Sequence, residues 1–199
     1  MKTHKNKKSA RTKDLLPLSA FEQTNHRMIE GNHPSMLEDE VLLKDVIFDF
    51  GRTGGPGGQH RNRKATACTA THLPTDISGE ASERRKQSEN RKMAISRLRR
   101  TLAIRLRRDI TSNTYTPSEL WESRRTGEQF AINPKHRDYP CILAEALDVV
   151  FAYEFDMKAS AEKLQISATQ LLKIIVHENA AYAWLNEQRK ERGLSALRI

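Results

Sequence analysis

The chain has 199 residues, with 34 Lys and Arg against 25 Asp and Glu, a net charge of +9 and a mean hydropathy of −0.70. That length suits one or two small domains, and 37% hydrophobic with 6% aromatic residues describes a lean, polar chain. Cys68 and Cys141 are too few for a disulfide framework, no apolar run approaches the ~20 residues of a membrane span, and no apolar segment follows the basic start, so secretion and membrane insertion are not expected and a reducing cytoplasm fits. Residues 133–199 carry nine basic and nine acidic side chains, so the whole surplus lies in residues 1–132. A basic part joined to a neutral one points to a polyanion reader with an attached module.

In chain order, residues 1–34 read as a basic flexible tail, with six Lys or Arg and no acid among the first thirteen. A mitochondrial presequence is disfavoured because the segment is richer in Lys than Arg and lacks an amphipathic stripe. Residues 35–109 form an α/β (α+β) unit. Ser35 with Glu38 has the spacing of a capping box, opening a short helix to about Leu43. Val46 to Phe50 and Ala67 to Leu73 have strand composition, and Ile77 to Ala81 is a weaker third strand because of Ser78 and Gly79. Between the first two strands lies Gly51-Arg52-Thr53-Gly54-Gly55-Pro56-Gly57-Gly58-Gln59-His60, which holds five of the nine glycines within eight residues. No regular element accommodates it.

A long basic helix follows from Ser82 to about Asp109. Ala94, Ile95, Leu98, Leu102 and Leu106 make one apolar stripe, and Arg84 to Arg108 carries eleven Lys or Arg against Glu89 alone. Residues 110–139 read as a linker. Residues 140–199 read as an all-α module: helices at Cys141–Phe155, Met157–Gln165, Ser167–Val176 and Ala180–Arg192, the middle pair spaced like a helix-turn-helix. The zero net charge of residues 133–199 argues against tight phosphate binding. A regulator binding DNA through residues 157–176 therefore has little support.

The glycine loop lacks the Gly-Lys-Ser/Thr ending of a P-loop and opens no helix with GxGxxG spacing. The two Cys and seven His do not cluster at metal-ligand spacing, so neither cofactor nor metal is expected. The loop does offer Gln59 on a backbone stripped of side chains, able to enter a narrow cavity, with Arg52, Arg61, Arg63 and Lys64 beside it to grip phosphates.

Gly57-Gly58-Gln59 after a strand, then Asn62, then His72-Leu73-Pro74-Thr75, then Arg85, Gln87, Asn90-Arg91-Lys92 and Ala94, together resemble the peptidyl-tRNA hydrolysis domain of class I peptide chain release factors. With Gly55-Pro56 in front, the chain is most similar to the short, codon-independent proteins that rescue stalled ribosomes. The resemblance spans residues 36–108. It implies that Gly57, Gly58 and Gln59 are the catalytic residues. The Gln59 backbone N–H would stabilise the oxyanion and leaving oxygen while water attacks the peptidyl-tRNA ester, and its side chain would select that water. It further implies large-subunit rRNA and peptidyl-tRNA as partners. Arg52, Arg61, Asn62, Arg63, Lys64, Arg84, Arg85, Arg91, Arg97, Arg99 and Arg100 are candidates for rRNA or tRNA contact.

Several positions depart from the family pattern. Arg63 stands for the usual Lys, Asp76 for a Gly after Pro-Thr, Lys86 for a Ser, and Ser78-Gly79 for an apolar pair. None falls in the Gly-Gly-Gln motif. At this length no stop-codon-reading domain is expected, so termination without codon reading follows. Known rescue hydrolases probe the mRNA channel with a basic C-terminal tail, and here residues 2–13 are the candidate for that contact. A monomer is expected. The alternative is a non-catalytic ribosome- or RNA-binding protein on the same scaffold.

Overall fold

Alternation along Ala67–His72 decides how the first layer is built. Cys68, Ala70 and His72 are buried while Ala67, Thr69 and Thr71 are partly exposed, so one pleat face is apolar and requires a cover. The computed structural model describes residues 26–52, 66–110 and 114–198. In it, β2 (Val46–Gly51), β3 (Ala67–His72) and β4 (Ile77–Ala81) form an antiparallel sheet in the order β2-β3-β4. The register runs from Gly51 opposite Ala67 to Val46 opposite His72. The cover is α2 (Gln87–Arg105), whose Ala94, Leu98 and Leu102 are fully buried against Val46, Cys68, Ala70, Ile77 and Ala81.

Gly79, counted in the sequence as a weakness of β4, is a packing requirement. A Cβ there would lie 2.2 Å from the Leu98 backbone N and 2.5 Å from the Ala94 carbonyl oxygen. The sheet and helix backbones meet at this point, and neither can yield without lifting α2. Gly79→Ala is expected to destabilise the protein by about 1–3 kcal/mol through overpacking, read as a lower urea midpoint at unchanged slope. Asp76, where the family has Gly, takes the left-handed conformation at φ +56°. The turn before it is closed by a 2.8 Å hydrogen bond between His72 Nδ1 and Thr75 Oγ1.

The end of the expected tail is structured. Arg27–Ile29 forms β1, which pairs in parallel with β5 (Leu106–Arg108), and the Arg27 guanidinium donates to the Thr75 carbonyl at 2.8 Å. Pairing with β1 also draws residues 106–108 into extended backbone, so α2 stops at Arg105 rather than near Asp109. The Ser35–Glu38 capping box does not form. Pro34–Met36 is instead a single 3-10 turn capped by His33, and α1 spans only Asp39–Leu42. Ser35 is otherwise engaged: its Oγ meets His33 Nδ1 at 2.8 Å, and its carbonyl accepts from Arg99 at 2.8 Å.

Residues 114–138 are likewise not the expected linker. They hold α3 (Glu119–Arg124), capped by Ser118, and a two-residue hairpin of β6 (Arg125–Thr126) and β7 (Gln129–Phe130). Trp121 is fully buried, packs with its ring 4.4 Å from that of Phe130 at a tilt of 42°, and donates its indole N–H to the Leu164 carbonyl at 3.0 Å. Buried Glu145 accepts from the Tyr115 hydroxyl (2.5 Å), the Ser118 N–H (2.7 Å) and the Ser118 hydroxyl (2.6 Å), which ties this segment to the helix that follows it.

The remaining helices fall close to the expected positions: α4 (Tyr139–Ala152), α5 (Met157–Lys163), α6 (Ala168–Val176) and α7 (Asn179–Glu191). Asp156 and Ser167 cap α5 and α6, and Gln165 takes φ +56° between them. These helices share a second core of Leu143, Leu147, Val150, Phe155, Leu164, Leu171, Ile175 and Leu185. The described residues thus form an α/β assembly of small sheets and seven helices. None of these helices is long and apolar enough to cross a membrane.

The two cores are joined by polar groups. Arg107 and Asp148, both inaccessible to solvent, pair at 3.0 Å, and Asp148 also accepts from Arg108 Nε at 2.8 Å. His33, buried beside them, accepts the Ser35 N–H on Nδ1 at 3.1 Å, which leaves its proton on Nε2, 3.4 Å from the Leu106 carbonyl. Burial, helped by Arg107 and Arg108, pulls its pKa down from 6.5 to about 3. Between those values the unfolded chain binds the extra proton. The contribution of His33 is therefore intact above pH 6.5 and is lost as pH falls toward 3. Stability is expected to drop by up to about 1.4 kcal/mol per pH unit in that window from His33 alone. His26 and His72, shifted down by burial, act in the same direction. His33→Asn, which keeps an acceptor for Ser35, is expected to flatten the dependence of the urea midpoint on pH.

Candidate functional site

The ladder between β2 and β3 ends at Gly51 and Ala67, so the two strands deliver the loop at one edge of the sheet. Of the expected catalytic and loop residues, Gly57, Gly58, Gln59, Arg61, Asn62, Arg63 and Lys64 lie outside the described residues. Arg52, the last residue described before the loop, is exposed.

Two consecutive residues of α2 hold the two stems. Asn90 is 0% exposed, and its amide makes three hydrogen bonds. Its Nδ2 donates to the carbonyls of Thr66 at 2.6 Å and Arg84 at 3.0 Å, while its Oδ1 accepts the Arg84 N–H at 2.8 Å. Thr66 is the first described residue after the loop. Arg91 lies over the Phe48 ring of β2, 4.1 Å from its centroid, and Phe48 stacks on Phe50 at 6.4 Å with the rings 16° apart. One helical turn thus grips the entry strand through Arg91 and the exit strand through Asn90.

The cations of α2 separate into two populations. Arg84 and Arg85 are exposed just before the helix, and Lys86 stands at its N-cap without a side-chain capping bond. Arg97 is exposed but pairs with Glu83 and donates to the Glu80 carbonyl at 2.6 Å. Arg99 is withdrawn from the surface: it is 8% exposed, pairs with Asp39 at 2.6 Å and donates to the Ser35 carbonyl. Arg100 donates to the Pro134 carbonyl at 2.9 Å, lies 3.5 Å from Glu178 and stands over the Tyr139 ring. Arg99 and Arg100 therefore hold the molecule together, where the sequence suggested phosphate contacts. The start of α2 and the residues just before it keep the exposed charge of Arg84, Arg85 and Lys92.

The reading of the sequence gave Asn90 no role beyond its place in a motif. A signal was available, since Asn90 stands four residues before Ala94 on the same stripe as Leu98 and Leu102. A polar residue continuing a buried apolar stripe requires hydrogen-bond partners. No comparable signal marks Phe48 as the seat of Arg91, because the pairing depends on how α2 crosses the sheet.

The profile of a family described as RF-1 domain matches residues 37–139, which hold the sheet, α2, the loop and the hairpin beyond. The mitochondrial peptide chain release factor 1-like protein of Rattus norvegicus is 37% identical over 88 residues, 44% of this chain and 23% of that protein. Peptide chain release factor 1 of Symbiobacterium thermophilum is 39% identical over 72 residues, 35% of this chain and 20% of that protein. The chloroplastic release factor PrfB1 of Arabidopsis thaliana is 37% identical over 65 residues, 33% of this chain and 14% of that protein. The chain spans less than a quarter of the length of these relatives.

Proposed function

Since this chain belongs to the RF-1 domain family, we propose that it is a ribosome-dependent peptidyl-tRNA hydrolase that terminates translation without reading a stop codon, as in ribosome rescue. The observation that carries this reading is Gly57-Gly58-Gln59 on a loop whose two stems are gripped by adjacent residues of one helix. In the reaction, water attacks the ester carbonyl of peptidyl-tRNA in the peptidyl-transferase centre. Negative charge gathers on the carbonyl oxygen, the bond to the tRNA 3′ oxygen breaks, and that oxygen leaves as a hydroxyl with a proton from the water. The Gln59 N–H is the donor to the developing charge, and the Gln59 amide selects water as the nucleophile. A preorganised donor of this kind is worth about 3 kcal/mol in a site that excludes bulk water.

Arg52, Arg84, Arg85, Arg91 and Arg97, with Arg61, Asn62, Arg63 and Lys64 of the loop, are the proposed contacts to rRNA and tRNA. Arg99 and Arg100 are not among them. The helix-turn-helix-like spacing of α5 and α6 is supported by the left-handed turn at Gln165 and by buried Leu164 and Ile166. Residues 133–199, which hold the pair, carry no net charge, and we assign it an architectural role.

The test is peptide release from purified ribosomes stalled with an empty A site, with and without a stop codon. Equal release in both states is the expected result. Binding without release would make this a docking protein on the same scaffold.

A further inference from the structure

We propose that Asn90 is the positioning residue for the hydrolytic loop, an inference that rests on the function proposed above. Three observations carry it. First, Thr66 lies beyond both ladders of β3, which end at Ala67 opposite Gly51 and at Cys68 opposite Ala81, so its carbonyl has no place in either. Asn90 Nδ2 donates to that carbonyl at 2.6 Å. Second, the same amide binds Arg84 through both its N–H and its carbonyl, so the segment leading into α2 is locked to the exit of the loop. Third, burying an amide on an otherwise apolar stripe is costly unless its groups are satisfied. Here one acceptor faces one N–H, and two donors face two carbonyls.

That pattern is specific to an amide. The isosteric carboxylate of Asp has no hydrogen to give and would set negative oxygens against the carbonyls of Thr66 and Arg84. Ala would leave both carbonyls and the Arg84 N–H without their partner. Either change frees the point from which the chain re-enters the sheet after Gln59. A donor that must meet a developing oxyanion tolerates little displacement, and an error of about 1 Å costs on the order of 100-fold. Asn90 touches no substrate in this account. It acts through Thr66.

The experiment compares the wild-type chain with Asn90→Asp, Asn90→Ala and Asp148→Ala at a temperature where circular dichroism shows each to be folded. Peptide release is followed across a range of stalled-ribosome concentrations. Asn90→Asp is expected to lower kcat by about 10-fold or more at an unchanged half-saturating concentration. Asp148→Ala, destabilised at the far end of α2, is expected to keep the wild-type kcat. A wild-type kcat for Asn90→Asp, or a loss confined to the half-saturating concentration, would overturn the inference.

A second readout needs no catalysis. Trypsin cleavage of the free protein after Arg61, Arg63 or Lys64, followed by mass spectrometry, is expected to accelerate in Asn90→Asp but not in Asp148→Ala. Absence of release by the wild-type chain would overturn the proposed function alone. An unchanged cleavage rate in Asn90→Asp would overturn the role of Asn90 whatever the release assay shows.

Discussion

Gln59→Pro is expected to slow peptide release by about 100- to 1,000-fold, the cost of removing one oxyanion donor, with ribosome binding retained. Proline lacks the backbone N–H, so this substitution deletes the proposed donor outright. Gln59→Ala keeps the N–H and loses only the amide. It is expected to retain much more of the water reaction and to admit other small nucleophiles, such as hydroxylamine, in place of water. Single-turnover release with each nucleophile separates the two contributions. Wild-type release by Gln59→Pro would remove the loop from the chemistry. Equal losses in both variants would shift the role from the N–H to the side chain.

Asp148→Ala is expected to cost about 3–5 kcal/mol of stability, the range for breaking a buried ion pair by removing one partner. Arg107 would be left fully buried without its carboxylate: burial already pulls its pKa down to about 10 against the raising effect of Asp148, and the substitution removes that support. Its Nη2 already serves the carbonyls of Ala103 at 2.6 Å and Ile104 at 2.5 Å, neither of which carries a countercharge, and its buried Nε has no partner among the described residues. Arg108 would lose the 2.8 Å contact of its Nε with the same carboxylate as well. Guanidinium chloride titration reads the loss as a lower midpoint. Replacing both members with apolar residues, Arg107→Met with Asp148→Leu, is expected to restore most of it, because the uncompensated charge and not the missing attraction dominates the cost.

What could be read from the sequence was what local pattern determines. The alternation of Cys68, Ala70 and His72 marks β3, the stripe of Ala94, Leu98 and Leu102 marks α2, and Asp156 and Ser167 lie where caps belong. Elements made by distant partners were not legible. β1 is three residues long and exists because Leu106–Arg108 lies alongside, a pairing no window around Arg27 contains. Trp121 stands in a polar stretch that resembles a linker, and only Phe130 and the Leu164 carbonyl show it to be core. The arginines show the same limit. Arg97 and Arg99 look alike in sequence, but two residues along a helix turn a side chain by about 200°, from the solvent edge of the sheet to the buried carbonyl of Ser35. The site divides in the same way: its proposed chemistry is read from Gly57-Gly58-Gln59, and the support for the loop stems appears only when α2 is laid across β2 and β3.

The cations on α2 that turned inward have a mechanical consequence. A helix of 19 residues spans about 28 Å at 1.5 Å per residue. One end grips the loop stems, and the other is fastened to the helical assembly through Arg100 and, just beyond its last turn, through Arg107 and Arg108. The protein is thereby a gauge of fixed length. A cavity that receives the loop must also have room for the helical assembly at one set distance and angle. A receptor whose spacing differs is rejected by shape before any chemistry begins.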